Sequence, residues 1–294
     1  MMPLLSTDEV RCLDVLTITS SGGSRSPAAG LRQSRMRGHG LEFQDYRPYQ
    51  PGDDPRFIDW TLDARLRQLS VRVFRAEGQL RIHLLLDVSR SMSAGSPSKL
   101  AVAKKIAAAA AYLAVEHRDA VGLATFTDRI GSVAPVAAGQ GQLFRLAERL
   151  GMSEPDGASG IAGALTQYAS AVAGPGLAIL VSDFLDGSDV IDAMRRLRFR
   201  GLALALVQVL APEDIAPAIA GEVELTDIED PSRPPLLVDR RALALYHERL
   251  GALTGRLRDF CAEFALPWVQ VCSSTPFAGI VHACIEAGLL GART

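Results

Sequence analysis

From residue 81 onward the chain alternates between two rhythms of apolar and polar positions. Ile82–Leu86, Val121–Phe126, Leu177–Ser182, Leu202–Leu210 and Trp268–Cys272 are short apolar runs, the pattern of strands buried on both faces. Lys99–His117, Gln142–Leu150, Ile161–Val172, Val190–Leu197, Arg241–Phe264 and Phe277–Leu290 carry helical periodicity instead. Such alternation predicts a three-layer α/β fold, a mostly parallel sheet with helices on both faces. Ahead of it the pattern differs. Residues 1–34 hold one short amphipathic segment, Val10–Ile18, and a Ser/Gly/Pro-rich stretch, Ser20–Gly30, that reads as a flexible linker. Residues 35–80 are dense in Arg, aromatics and turn residues. They predict a β-rich N-terminal extension with strands Leu41–Tyr46 and Leu69–Phe74 and a turn at Pro51–Pro55. The domains expected are therefore 1–34, 35–80 and 81–294.

Composition narrows the class without naming a function. At 294 residues, 48% hydrophobic and 22% charged, the chain reads as a soluble globular protein that buries its core without disulfide or metal staples. A net charge of −2 gives no bulk attraction to nucleic acid or to an anionic membrane. Cys12, Cys261, Cys272 and Cys284 form no CxxC pair, which fits free thiols in a reduced setting. No apolar run is long enough to span a bilayer, and the N-terminus lacks the pattern of a signal peptide, so we expect a cytoplasmic protein.

Candidate chemistry begins at Asp87-Val88-Ser89-Arg90-Ser91, directly after a buried strand. One carboxylate and two hydroxyls on one turn suit a small hard cation such as Mg²⁺. The alternative is a strand-to-helix turn whose side chains cap the next helix. A parallel sheet places ligands beyond the carboxyl ends of its strands, which is where Asp87 falls. Ile179–Asp183 is a second buried strand ending in an acid, and Asp183 reaches the same edge if the two strands are neighbours. Between them, Gly157–Leu165 is a small-residue loop running into a helix, where Ser159 either adds a third hydroxyl or caps that helix. Lys99, Lys104 and Lys105 read as a solvated helix face, with Lys99 nearest the metal loop. Asp128 reads as a turn acid and His83 as a core histidine.

Asp87, Ser89, Ser91, Ser159 and Asp183, in this order, resemble the metal-ion-dependent adhesion site of von Willebrand factor A-type domains. Ser159 stands where that pattern has Thr, keeping the hydroxyl and losing a methyl. The flanking segments narrow the resemblance: Gly38–Phe43, Arg47-Pro48-Tyr49, Pro51–Arg56, Ile58-Asp59-Trp60 and Ala64-Arg65, followed by Val71–Phe74, are similar to the signature of the domain of unknown function 58 family. The likeness is dense over about residues 35–130, looser to Asp183, and weak in the C-terminal third. It implies a von Willebrand factor A-like fold in a form without transmembrane helices. It also implies a MoxR-type AAA+ ATPase as partner.

With Asp87 and Asp183 the only formal anions, a bound Mg²⁺ (or Mn²⁺) would be left short of negative charge and would attract an external carboxylate. The expectation is a non-enzymatic, chaperone-like adaptor that binds a client's acidic side chain through the metal and works with the ATPase in assembly or maturation. Two alternatives stand beside it. A phosphatase-like hydrolase using Asp87 lacks a second acid, because Ser89 stands at that position. Neither a phosphate-binding Gly-rich loop with Lys nor a Gly-x-Ser-x-Gly elbow occurs. Nucleic-acid binding by residues 25–75 rests on ten arginines against six acids. Those charges are interleaved, which favours internal pairing around Phe43, Tyr46, Tyr49, Phe57 and Trp60 as a small core.

Overall fold

The computed structural model describes residues 4–19, 42–49, 58–60, 62, 69–75, 79–186, 188–217, 223–226 and 235–293. In chain order its elements are α1 (Thr7–Leu13), β1 (Leu16–Ile18), β2 (Glu42–Pro48), β3 (Ser70–Arg75), β4 (Arg81–Asp87) and α2 (Lys99–Glu116). Then come β5 (Ala120–Phe126), β6 (Ile130–Ala137), α3 (Gln140–Met152), α4 (Ile161–Ala171), β7 (Gly176–Ser182) and α5 (Val190–Phe199). The remainder are β8 (Leu202–Leu210), α6 (Pro212–Ile215), β9 (Val223–Leu225), β10 (Leu236–Val238), α7 (Arg240–Glu263), β11 (Trp268–Cys272), α8 (Phe277–Glu286) and β12 (Leu290–Ala292).

The central sheet has the order β11-β8-β7-β4-β5-β6, parallel throughout except for β6, which runs antiparallel to β5. Alternation along the strands divides the interior in two. Ile82, Leu84, Leu86, Ile179, Val181, Val207 and Val209 face a core completed by α2, α3 and α8. Leu85, Ala178, Leu180, Leu204 and Leu206 face another, completed by α4, α5 and α7. This is the three-layer α/β arrangement expected from the sequence. β6 was not anticipated, because its burial pattern is mostly exposed; Pro135 and two register shifts against β5 blunt this edge strand against further pairing.

The helix α2 is buried along nearly its whole length, with Ala103, Ala107, Ala108 and Ala111 letting it lie close against its neighbours. Its first residue overturns the solvated-face expectation: Lys99 is 1% exposed. Outside α2, the described part of residues 1–34 is built into the first core. Leu13 and Ile18 are buried there, and β1 pairs antiparallel with β12. Polar contacts tie the same segment to α2: Lys105 Nζ to Glu9 Oε1 at 2.7 Å, and Tyr112 Oη donating to Asp14 Oδ1 at 2.7 Å. Strands β2 and β3 form an antiparallel pair. Trp60, expected as core, is 63% exposed. The Ser20–Gly30 linker, the Pro51–Pro55 turn and Phe57 lie outside the described residues.

Candidate metal centre

The chain leaves β4 toward β5 on one side and returns through β7 on the other, so β4 and β7 flank the point where strand order reverses. Crevices beyond the carboxyl ends of strands at such a point are where open α/β sheets bind ligands. Asp87 ends β4, and Asp183 follows the last residue of β7. Parallel pairing of the two strands brings both acids to the same end.

Asp87 is fully buried and held at both oxygens. Oδ1 accepts the Ser89 N–H at 2.9 Å, and Oδ2 accepts the Ser182 hydroxyl at 2.6 Å. Burial, and then the nearby Asp183 carboxylate, push its pKa up to about 7, against the opposing pull of those hydrogen bonds. A cation placed beside it would reverse that balance. Ser89 Oγ and Ser91 Oγ lie 3.0 Å apart. The two hydroxyls hydrogen-bond each other, and because adjacent ligands on an octahedral Mg²⁺ shell of about 2.1 Å radius are also about 3 Å apart, this pair is spaced as two neighbouring ligands of a small hard ion would be. Among the described residues no three His, Cys, Asp or Glu side chains group as a metal cluster, and an ion here would depend on these hydroxyls.

The Ser159 loop is tied to the Asp-x-Ser-x-Ser turn by backbone. Arg90 N–H donates to Gly157 O at 3.1 Å and Asp156 N–H donates to Val88 O at 2.8 Å. Gly160 packs so tightly that an added Cβ would lie 2.6 Å from Asp128 Cα. Ser159 does not cap α4. Gly160 occupies the cap position, and Asp186 Oδ2 accepts the Ile161 N–H at 2.7 Å while Ser188 Oγ accepts from Ala162 at 3.3 Å. A carboxylate and a hydroxyl from the following loop take the cap because Ser159 is one residue too early. Asp128 stands as a turn acid, accepting from Thr127 Oγ1 at 3.0 Å.

Asp183 is also fully buried. Its Oδ1 accepts the Leu185 N–H at 3.0 Å, its Oδ2 takes Lys99 Nζ at 2.6 Å, and its carbonyl accepts from Gln208 Nε2 at 2.9 Å. Lys99 Nζ reaches Asp214 Oδ2 as well, at 3.0 Å. Burial works against the ammonium, yet Asp183 and then Asp214 hold its pKa above the ordinary value. Sequence reasoning placed Lys99 near the metal loop but on a solvated face, and it missed Ser182, Asp214 and Gln208. A lysine opening an otherwise apolar helix was the available signal for Lys99; Asp214, 31 residues beyond Asp183 in the numbering, offered none. Phe184 adopts φ of +56°, rare for a bulky side chain, and is held there by its N–H to Ser182 Oγ at 2.9 Å and by complete burial. His83, on β4 away from this end, is buried against Tyr168 Oη at 2.8 Å; burial and Arg81 lower its pKa to about 4.

Comparison with solved structures finds likeness at low identity. BatB from Bacteroides thetaiotaomicron aligns with a TM-score of 0.45 and 14% identity over 71% of this chain and 98% of that one. A von Willebrand factor type A protein from Catenulispora acidiphila aligns with a TM-score of 0.42 and 13% identity over 75% and 43%. Among sequences, uncharacterized proteins Mb1516 of Mycobacterium bovis and Rv1480 of Mycobacterium tuberculosis are 29% identical over 198 residues, or 65% of this chain. The chain spans 62% of the length of these curated relatives. No helix among the described residues is long and apolar enough to cross a membrane. A family model described as "Protein of unknown function DUF58" matches residues 45–248, more than half of the sequence, and the chain belongs to that family.

Proposed function

We propose that this chain is a non-catalytic protein-binding module that depends on a divalent cation. Asp87, Ser89 and Ser91 hold Mg²⁺, or Mn²⁺ in its place, with Ser159 and Asp183 completing the donor set. The observation that carries this reading is the Ser89–Ser91 oxygen pair, 3.0 Å apart beside a buried carboxylate at the strand-order reversal. A bound ion would supply positive charge and an exchangeable position to an incoming carboxylate. The protein's part is to fix the donors. Ser182 and the Ser89 N–H stop Asp87 from rotating, and backbone bonds at Val88 and Arg90 keep the Ser159 loop against the turn. Asp183 is already paired with Lys99, so the site is poor in free negative charge. A Glu or Asp of a client protein would supply the deficit.

The resemblance noted in the sequence adds a MoxR-type AAA+ ATPase as the working partner, with assembly or maturation of clients as the task. The test is calorimetric titration with Mg²⁺ and Mn²⁺, together with binding to a purified MoxR-type ATPase in Mg²⁺ and in EDTA. The expected result is partner binding in Mg²⁺ that EDTA abolishes, with Asp87→Ala losing both metal and partner. Intact metal and partner binding by Asp87→Ala would overturn the proposal.

A further inference from the structure

A lysine that is 1% exposed at a proposed metal site calls for a physical reason. Burying an ammonium costs several kcal/mol unless it is fully paired, and an apolar residue of similar size is usually no less stable there. Lys99 is paired on two sides: Asp183 Oδ2 at 2.6 Å and Asp214 Oδ2 at 3.0 Å. Asp214 is itself held in place. Its Oδ2 accepts the Ala211 N–H at 2.8 Å, and its carbonyl accepts the Tyr246 hydroxyl at 2.7 Å. Lys99 is anchored at its own end by the Ser98 cap at the start of α2. The ammonium thus occupies the Asp183 oxygen that its own turn leaves available.

We infer that Lys99 is a built-in cation of this site. It competes with the divalent ion for Asp183, and Asp214 is the positioning residue that shares the ammonium and draws it partly off Asp183. This rests on the metal-centre reading and deepens it. With Lys99 in place the centre binds an ion weakly by itself and gains most from a carboxylate brought by a partner. Lysine 99 then sets the dependence of metal binding on the partner, a role distinct from ligation. Asp214 contributes no ligand; its charge and position keep the ammonium between the two acids.

The experiment is Mn²⁺ titration of the full chain, followed by electron paramagnetic resonance of free Mn²⁺ and by calorimetry, without partner. Lys99→Met is expected to tighten Mn²⁺ binding at least about tenfold. That is the factor for removing a unit charge ~6 Å from a divalent ion even at the dielectric of water. Asp214→Asn keeps the lysine and every proposed ligand, and it is expected to weaken Mn²⁺ binding several-fold. Because Lys99→Met leaves two acids without their counterion, the double variant Lys99→Met/Asp214→Asn is measured alongside. It restores the charge balance and is still expected to bind more tightly than the wild type. Mn²⁺ binding by the wild type, with neither lysine variant tighter, overturns the counterion role and leaves the metal centre standing. Binding by a lysine variant where the wild type binds none upholds the counterion role and overturns the metal centre of the native chain. No binding by any form overturns both, and Asp214→Asn binding as tightly as the wild type removes Asp214 from its role.

Discussion

Replacing Asp87 with asparagine separates two opposing charge effects built into one strand. In the metal-free protein the Asp87 pKa stands at about 7 against an ordinary 3.8. The folded state therefore holds a proton that the unfolded state has already lost between those values. Stability is fully present at low pH and declines as pH rises through about 7, by on the order of 4 kcal/mol for about three pKa units. His83, four residues earlier on β4, acts in the other direction. Its pKa falls from 6.5 to about 4. The unfolded chain binds the extra proton, so stability is lost as pH falls and regained toward 6.5, by on the order of 3 kcal/mol. The two act in opposite directions between pH 4 and pH 7, so each masks part of the other in the wild type in EDTA. Asp87→Asn keeps an acceptor for the Ser89 N–H and removes the ionisation. Its stability should match the wild type near pH 4 and exceed it by about 4 kcal/mol at pH 8. Urea denaturation at half-unit pH intervals, analysed by linear extrapolation, measures this directly. Parallel curves for the two proteins across that range would refute the reasoning.

Ser182→Ala leaves Asp87 Oδ2 and the Phe184 N–H unsatisfied inside the protein, and the unfolding free energy from urea denaturation should fall by about 2–4 kcal/mol. Asp183→Asn keeps the turn acceptor but takes one of two partners from Lys99, so in EDTA it should destabilise by about 2–4 kcal/mol where Asp87→Asn stabilises at neutral pH. Gly160→Ala sets a Cβ 2.6 Å from Asp128 Cα, which forces the Ser159 loop off the turn; Mn²⁺ affinity should drop several-fold while the circular dichroism spectrum stays unchanged. Leu13→Ala empties a fully buried position between the N-terminal segment and the core, and should cost about 2–5 kcal/mol in urea with Mn²⁺ affinity unaltered.

The layered sheet was legible because its strands are buried on both faces, and such strands read as unbroken apolar runs. The edge strand β6 was not, since an exposed strand carrying a proline has no such run. Pairing of β1 with β12 joins residues at opposite ends of the numbering and has no local signal at all. At the candidate site, Asp87, Ser89, Ser91 and Asp183 were legible as candidates because each lies on the strand or turn that the pattern marks. Lys99 was misread for a different reason. Local pattern assigns lysine to solvent, and only the tertiary meeting of α2 with the ends of β7 and β8 gives it two acids to pair with. Asp214 is visible to sequence reasoning only after Lys99 has been placed.

The turn-forming and functional readings of these side chains are not rivals, because the hydrogen bonds divide the labour oxygen by oxygen. At the carboxyl end of a parallel strand the next N–H groups have no ladder partner. An acid two residues earlier can accept one of them. Asp87 Oδ1 takes the Ser89 N–H, Asp183 Oδ1 takes the Leu185 N–H, and Ser182 Oγ takes the Phe184 N–H. Each turn needs one neutral acceptor and nothing more, a requirement that Asn or Ser meets without the cost of burying a charge. The second oxygens go elsewhere: Asp87 Oδ2 to the Ser182 hydroxyl, Asp183 Oδ2 to the Lys99 ammonium. Lys99 balances one of the two buried charges, and Asp87 has no cation of its own in direct contact among the described residues. Turn formation accounts for an acceptor at position 87 but not for a carboxylate in place of asparagine, and the proposed cation would supply the reason for that choice.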